Sequence, residues 1–152
     1  MIKINILCAF LLFASFSVKA NTLELRPLLK DRFEENCAIR PQYDFHNQNT
    51  DLIAPLKLYT TKSKYIDKQA YVSSIYDLKN VTYSEIPVRK IKFIFGHLAQ
   101  QYNQYLYLDL STVKAKKQFS KLKFKQNQKN TGLSVAFSKN IAIVQCYWLE
   151  QF

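Results

Sequence analysis

Two cysteines, Cys37 and Cys146, lie toward opposite ends of the chain once its first twenty residues are set aside. A bond between them closes a loop of about 110 residues, for which the chain-entropy model gives roughly 4–5 kcal/mol. Such a bond ties the first part of the chain to its last strand and argues against two separable domains. The competing reading is a pair of buried free thiols, because unpaired cysteine packs as a small apolar residue. Compartment decides between them.

The N-terminus speaks to compartment. Lys3 supplies an early positive charge, and Ile4 to Val18 is apolar apart from Asn5, Ser15 and Ser17. Val18 and Ala20 then stand at the −3 and −1 positions of a signal-peptidase site. A run of about 15 residues is short for a membrane span, which needs ~20. Residues 1–20 therefore read as a signal peptide, with a retained anchor helix as the alternative. Cys8 lies inside the apolar run behind Leu7, so it is not placed for lipid attachment. Residues 21–152 are expected to form one disulfide-linked soluble domain in an oxidising compartment, which favours the cross-link. A periplasmic location is expected, with an extracellular one as the alternative.

Charge is unevenly spread. The leader holds two of the 22 basic residues and none of the 11 acidic ones, so the remainder carries a net +9. Residues 21–85 contain nine of each sign and cancel. Residues 86–152 carry the excess, with eleven cations against Asp109 and Glu150. Lys114, Lys116, Lys117, Lys121, Lys123, Lys125 and Lys129 fall in one short span. That asymmetry points to an anionic partner, whether glycan, lipid headgroup or nucleic acid; the bland account is a solvated lysine-rich face.

The hydrophobic pattern changes along the chain. Leu25, Leu28, Leu29 and Phe33 recur at helical spacing, and Pro27 can open a helix, so one is expected from Pro27 to about Asn36. Cys37–Thr50 reads as a loop. Strands are expected at 56–61, 69–78, 81–84, 88–95 and 105–110. In the fourth, Ile91, Phe93 and Phe95 face one way and Lys90 and Lys92 the other; in the fifth, Leu106, Leu108 and Leu110 oppose Tyr105, Tyr107 and Asp109. Over 112–122, Val113, Ala115, Phe119 and Leu122 are read as one helical face behind a Ser111 or Thr112 cap. An extended segment then runs to Lys125. Leu133–Phe137 and Ile141–Leu149 make a hairpin around 138–140. The fold class expected is α+β: a single, mainly antiparallel sheet of five or six strands with one or two packed helices. An all-β barrel or sandwich is the alternative.

Catalytic constellations are scarce. His46 and His97 lack further ligands at metal-binding spacing, so no metal and no cofactor is expected. The two histidines with a lysine could serve ribonuclease chemistry, a remote reading. Bridged cysteines are not nucleophiles, no serine sits in a G-x-S-x-G turn, and two glycines build no phosphate-cradling loop. A non-enzymatic binding protein is expected. Its candidate contact residues are Arg89, Lys90, Lys92, Tyr105 and Tyr107, together with Lys114, Lys116, Lys117, Lys121, Lys123 and Lys125. Tyrosines edged by lysines can stack on sugars or bases while cations hold anionic groups, though such rings equally fill a second core layer beneath a helix. The alternative function is an inhibitor or immunity-type protein that binds another, acidic protein.

Overall fold

The computed structural model describes residues 21–35, 37, 43–44, 49–50, 53–97, 101–125 and 131–149. The expected leader at 1–20, His46, Lys129 and much of the two expected polar loops lie outside the described residues.

The described chain starts with a two-residue strand, β1 (Leu23–Glu24), and then α1 (Arg26–Phe33). Pro27 sits in the first turn of α1, where its missing N–H is not needed. Leu29 and Phe33, four apart, are fully buried, whereas Leu28 is half exposed. The helix stops short of the expected Asn36. Glu34 N–H donates to the Lys30 carbonyl at 2.8 Å and Cys37 N–H to the Arg32 carbonyl at 2.6 Å. Cys37 itself has a left-handed φ of 60°, which turns the chain out of the helix.

A small hairpin pairs β2 (Tyr43–Asp44) with β3 (Asn49–Thr50). It precedes α2 (Ile53–Leu56), which tightens into a 3-10 turn over Lys57–Tyr59. The strand expected at 56–61 is therefore mostly helical. Pro55 lies within the first turn of α2, and Leu56 is rotated into the core, fully buried. The strand proper, β4 (Thr60–Asp67), starts later and is largely exposed, with lysines at 62 and 64 that blur its period.

β5 (Tyr71–Leu78), β6 (Val81–Tyr83), β7 (Ile86–Gly96) and β8 (Gln101–Asp109) follow, then α3 (Val113–Phe119), β9 (Thr131–Ser138) and β10 (Ile141–Leu149). Across the sheet the order β4, β5, β7, β8, β10, β9 is antiparallel at every step. The sheet is open and holds eight strands rather than five or six. The strands expected at 69–78 and 81–84 form as β5 and β6, and the excursion between them at Lys79–Asn80, where Asn80 takes φ 56°, sets both along the same edge of β7. β1 then adds a parallel pair, Leu23 opposite Val81, which two residues of sequence could not announce.

Cross-strand register sorts the side chains into two faces. Ile91, Phe93, Leu106, Leu108, Leu133, Ala142, Val144, Cys146 and Trp148 lie on one face and form the core with Leu29, Phe33 and Leu56. All three helices contribute to this face or to residues packed on it. The Cys37–Cys146 disulfide, with Cα atoms 5.5 Å apart, fixes the end of α1 to β10. Trp148, two residues along the same strand, donates from its indole nitrogen to the Cys37 carbonyl at 2.6 Å.

The N-terminal elements are further held by two carboxylates. Glu24 accepts from Arg26 N–H, from the Thr82 hydroxyl at 2.9 Å, and from Ser84 and Glu85 N–H at 2.7 and 3.2 Å. Buried Glu34 takes two bonds from Arg26, at 2.7 and 2.9 Å, and one from the Tyr83 hydroxyl at 2.9 Å. The Arg26 hydrogen bonds hold the Glu34 carboxyl below its usual range despite burial, and burial with the nearby Glu34 charge pushes Tyr83 well above its own.

Candidate functional site

The expected contact residues fall on two separate surfaces. Lys90 and Lys92 on β7 and Tyr105 and Tyr107 on β8 alternate away from the core, onto the sheet face that no described helix covers. There Lys90 stands opposite Tyr107 and Lys92 opposite Tyr105, each ammonium above the neighbouring ring at 5.5 and 5.3 Å from its centroid. The rings are half-buried, and burial followed by the neighbouring Tyr107 raises the Tyr105 hydroxyl's pKa. They do not fill a second core layer beneath a described helix.

Charge on this open face is locally met. Lys90 lies 3.4 Å from Asp77, and Lys92 is engaged by Tyr105. Arg89 occupies a bulge between Val88 and Lys90, where its Nε donates to Asp109 at 2.7 Å and its Nη2 also reaches that carboxylate. Asp109 additionally accepts from Ser111 N–H at 2.8 Å. Burial favours the protonated form of Asp109, but the Ser111 bonds and Arg89 outweigh it and lower its pKa. Arg89 thus serves to anchor the end of β8.

The second surface is the segment 113–125, which packs on the core side. Thr112 caps α3, its hydroxyl accepting from Ala115 N–H at 3.1 Å. Ala115 is buried and Phe119 packs against the core. After the helix, Leu122 and Phe124 turn inward while Lys121, Lys123 and Lys125 stay exposed, an alternation of period two. Phe124 meets Tyr83 and Phe119, with centroids 5.9 and 5.6 Å apart. The expected helix forms over Val113–Phe119, but the segment after it turns rather than extends at first: Lys121 and Leu122 N–H donate to the Gln118 and Phe119 carbonyls at 3.0 Å, and residues 123–125 join no strand.

Val113 does not share the buried helical face: it is 83% exposed. Positions 113 and 115 are about 200° apart around a helix, so burying Ala115 and Phe119 turns Val113 outward with Lys116 and Lys117.

The electrostatics of this surface differ from those of the open sheet. Lys114 pairs with Glu85 at 2.6 Å, and that hydrogen bond, then its charge, lowers the Glu85 pKa. Among the described residues no carboxylate lies within ion-pair distance of Lys116, Lys117, Lys121, Lys123 or Lys125. Five cations thus project from ten consecutive residues on a scaffold fixed by Ala115, Phe119, Leu122 and Phe124. Residues two apart in the chain are at most roughly 7 Å from one another between Cα atoms, inside a Debye length at physiological salt.

Sequence reasoning missed two exposed apolar side chains on or next to α3. Phe137 on β9 is 64% exposed, and its ring meets Phe119 edge-on at 5.8 Å. Val113 is the other. The alternation of β9 could have flagged neither face as solvent-facing, because the edge position of that strand is not written in its own residues.

His97 is exposed, its Nε2 4.0 Å from Asp67. No cluster of three metal-ligating side chains occurs among the described residues, and no helix among them is long and apolar enough to cross a membrane. No family model matches the chain, no curated protein matches it in sequence, and no solved structure matches it.

Proposed function

We propose that this is an exported, non-enzymatic protein of the periplasm that binds an anionic partner in the cell envelope through the lysine face of residues 113–125. The observation that carries this reading is the set of five lysines without an ion pair among the described residues. Acids stand beside Lys90 and Arg89 on the open face, and Glu85 stands beside Lys114 and within reach of the Lys121 charge, whereas Lys116, Lys117, Lys123 and Lys125 have no such partner among the described residues. Lysine suits an irregular anionic surface, since its ammonium is a point charge with no fixed fork to satisfy.

A second reading, an inhibitor-like protein with an acidic protein target, draws on the open sheet face. Tyr105, Tyr107, Ile94 and Ile143 are half-exposed there beside Lys92. Tyrosine and apolar side chains with a rim cation are the composition of many protein interfaces.

A tagged protein lacking residues 1–20, exposed to envelope extract at low and high salt, separates the two. Salt-sensitive retention of anionic lipid or glycan supports the first reading. A stoichiometric complex with one protein, retained at high salt, overturns it in favour of the second.

A further inference from the structure

We infer that the anionic partner of the lysine face is a lipid bilayer surface, with Val113 and Phe137 as the apolar side chains that enter it. The inference rests on the proposed binding role of residues 113–125 and names the partner of that same surface.

Nucleic acids and acidic glycans take cations and flat aromatic rings on which bases or sugars stack, but an exposed aliphatic side chain serves neither contact. This surface offers more. Val113, at 83% exposure, shares the outward face of α3 with Lys116 and Lys117. Phe137, at 64% exposure, meets Phe119 near the other end of the helix, about 120° around its axis from Val113, so the two apolar side chains flank the lysines of α3 on different sides. About 9 Å of helix separates the two ends. Cations with interspersed aliphatic and aromatic side chains are what an interfacial, membrane-surface segment presents. Lysine stems allow the ammonium groups to rise to the phosphates while shorter apolar side chains go deeper.

Phe137 is also braced. Phe119 supports it edge-on at 5.8 Å and is itself packed on Phe124 at 5.6 Å, which in turn meets Tyr83 in the core. Such a stack favours the ring's outward position, each aromatic pair contributing about 0.5–1.5 kcal/mol beyond its area. The charge around it completes the argument: acidic headgroups attract juxtaposed lysines at about 1 kcal/mol each near the surface.

The test uses the purified protein lacking residues 1–20, phosphatidylcholine vesicles containing about one-third phosphatidylglycerol, and polyphosphate as a soluble polyanion. The expected result is salt-sensitive sedimentation with the vesicles. Val113→Ser and Phe137→Ser should each reduce that partitioning about tenfold and leave polyphosphate binding unchanged. Phe137→Trp should retain partitioning and show a blue-shifted emission component on anionic vesicles, above the constant signal of buried Trp148. If polyphosphate binds through the lysines but vesicles are ignored, or are bound equally well by both serine variants, the bilayer inference is overturned while the anionic-partner reading stands. If neither probe binds, both fall.

Discussion

Trp148 and Cys37 are joined twice over: the indole nitrogen donates to the Cys37 carbonyl at 2.6 Å, and the disulfide reaches the same residue from Cys146, two positions back on β10. One strand face therefore holds the end of α1 by a covalent and a polar contact. Reduction should cost about 4–5 kcal/mol if the unfolded chain is the main reference, less if it retains structure. Trp148→Phe should cost about 1–2 kcal/mol, since it leaves a buried carbonyl unpaired. Urea denaturation of oxidised, reduced and W148F protein measures both. Equal midpoints for oxidised and reduced protein would sink the claim that the bridge is structural.

Gln104 lies on the core face of β8, opposite Phe93 on one side and Cys146 on the other. It is fully buried, and among the described residues neither its amide nitrogen nor its oxygen has a hydrogen-bond partner. An unpaired buried amide costs about 1–3 kcal/mol. Gln104→Met, similar in volume and free of strong polar atoms, should therefore stabilise the fold by about 1–2 kcal/mol, read from the denaturation midpoint. A loss of stability instead would show that the amide is satisfied.

The Arg26–Glu34–Tyr83 cluster predicts how stability follows pH. Glu34 has its pKa lowered, chiefly by the Arg26 hydrogen bonds, so its contribution is complete above the unfolded value of about 4.3 and is lost as pH falls through the folded one. Asp109, lowered by the Ser111 bonds and Arg89 against the opposing effect of burial, adds to the same acid loss. Tyr83 has the opposite sign. Its raised pKa contributes stability below the unfolded value of about 10, which declines once the unfolded tyrosine ionises. Denaturation midpoints should thus form a plateau, falling below about pH 5 and above about pH 10. Arg26→Ala should cost about 2–3 kcal/mol by leaving the buried carboxylate with too few donors, and Glu34→Gln should flatten the acid limb. An acid limb unchanged in E34Q would place its origin elsewhere.

Where sequence and structure agree, the reason is alternation between a wet and a dry face. Ile91 and Phe93 against Lys90 and Lys92, and Leu106 and Leu108 against Tyr105 and Tyr107, announce their strands because one side must be buried. The turn at Ser84–Glu85 was not legible. Both residues are left-handed, with φ 52° and 64°, yet neither is glycine or asparagine. Their N–H groups are instead gathered by Glu24, about sixty residues earlier in sequence. β4 was obscured for a related reason, since an edge strand with Lys62 and Lys64 shows no dry side of its own. Long-range partners decide such segments, and a local pattern cannot carry them.

The same separation of faces makes a prediction about binding. The lysines expected to act together sit on opposite sides of the sheet: Lys90 and Lys92 on the open face, residues 116–125 beside the core-side helices. Lys90 already faces Asp77 and Lys92 already faces Tyr105, so their charge is partly spent within the fold. Lys116, Lys117 and Lys121 have no such ion pair among the described residues. Replacing those three with glutamine should weaken polyphosphate binding and reduce the slope of log K against log salt by about 2. Lys90→Gln with Lys92→Gln should leave the slope nearly unchanged. Exposed substitutions of this kind shift stability by only about 0.5 kcal/mol, so altered binding would not reflect unfolding. Isothermal titration at several salt concentrations measures the slopes. A larger loss from the open-face pair would move the anionic site to the tyrosine side of the sheet.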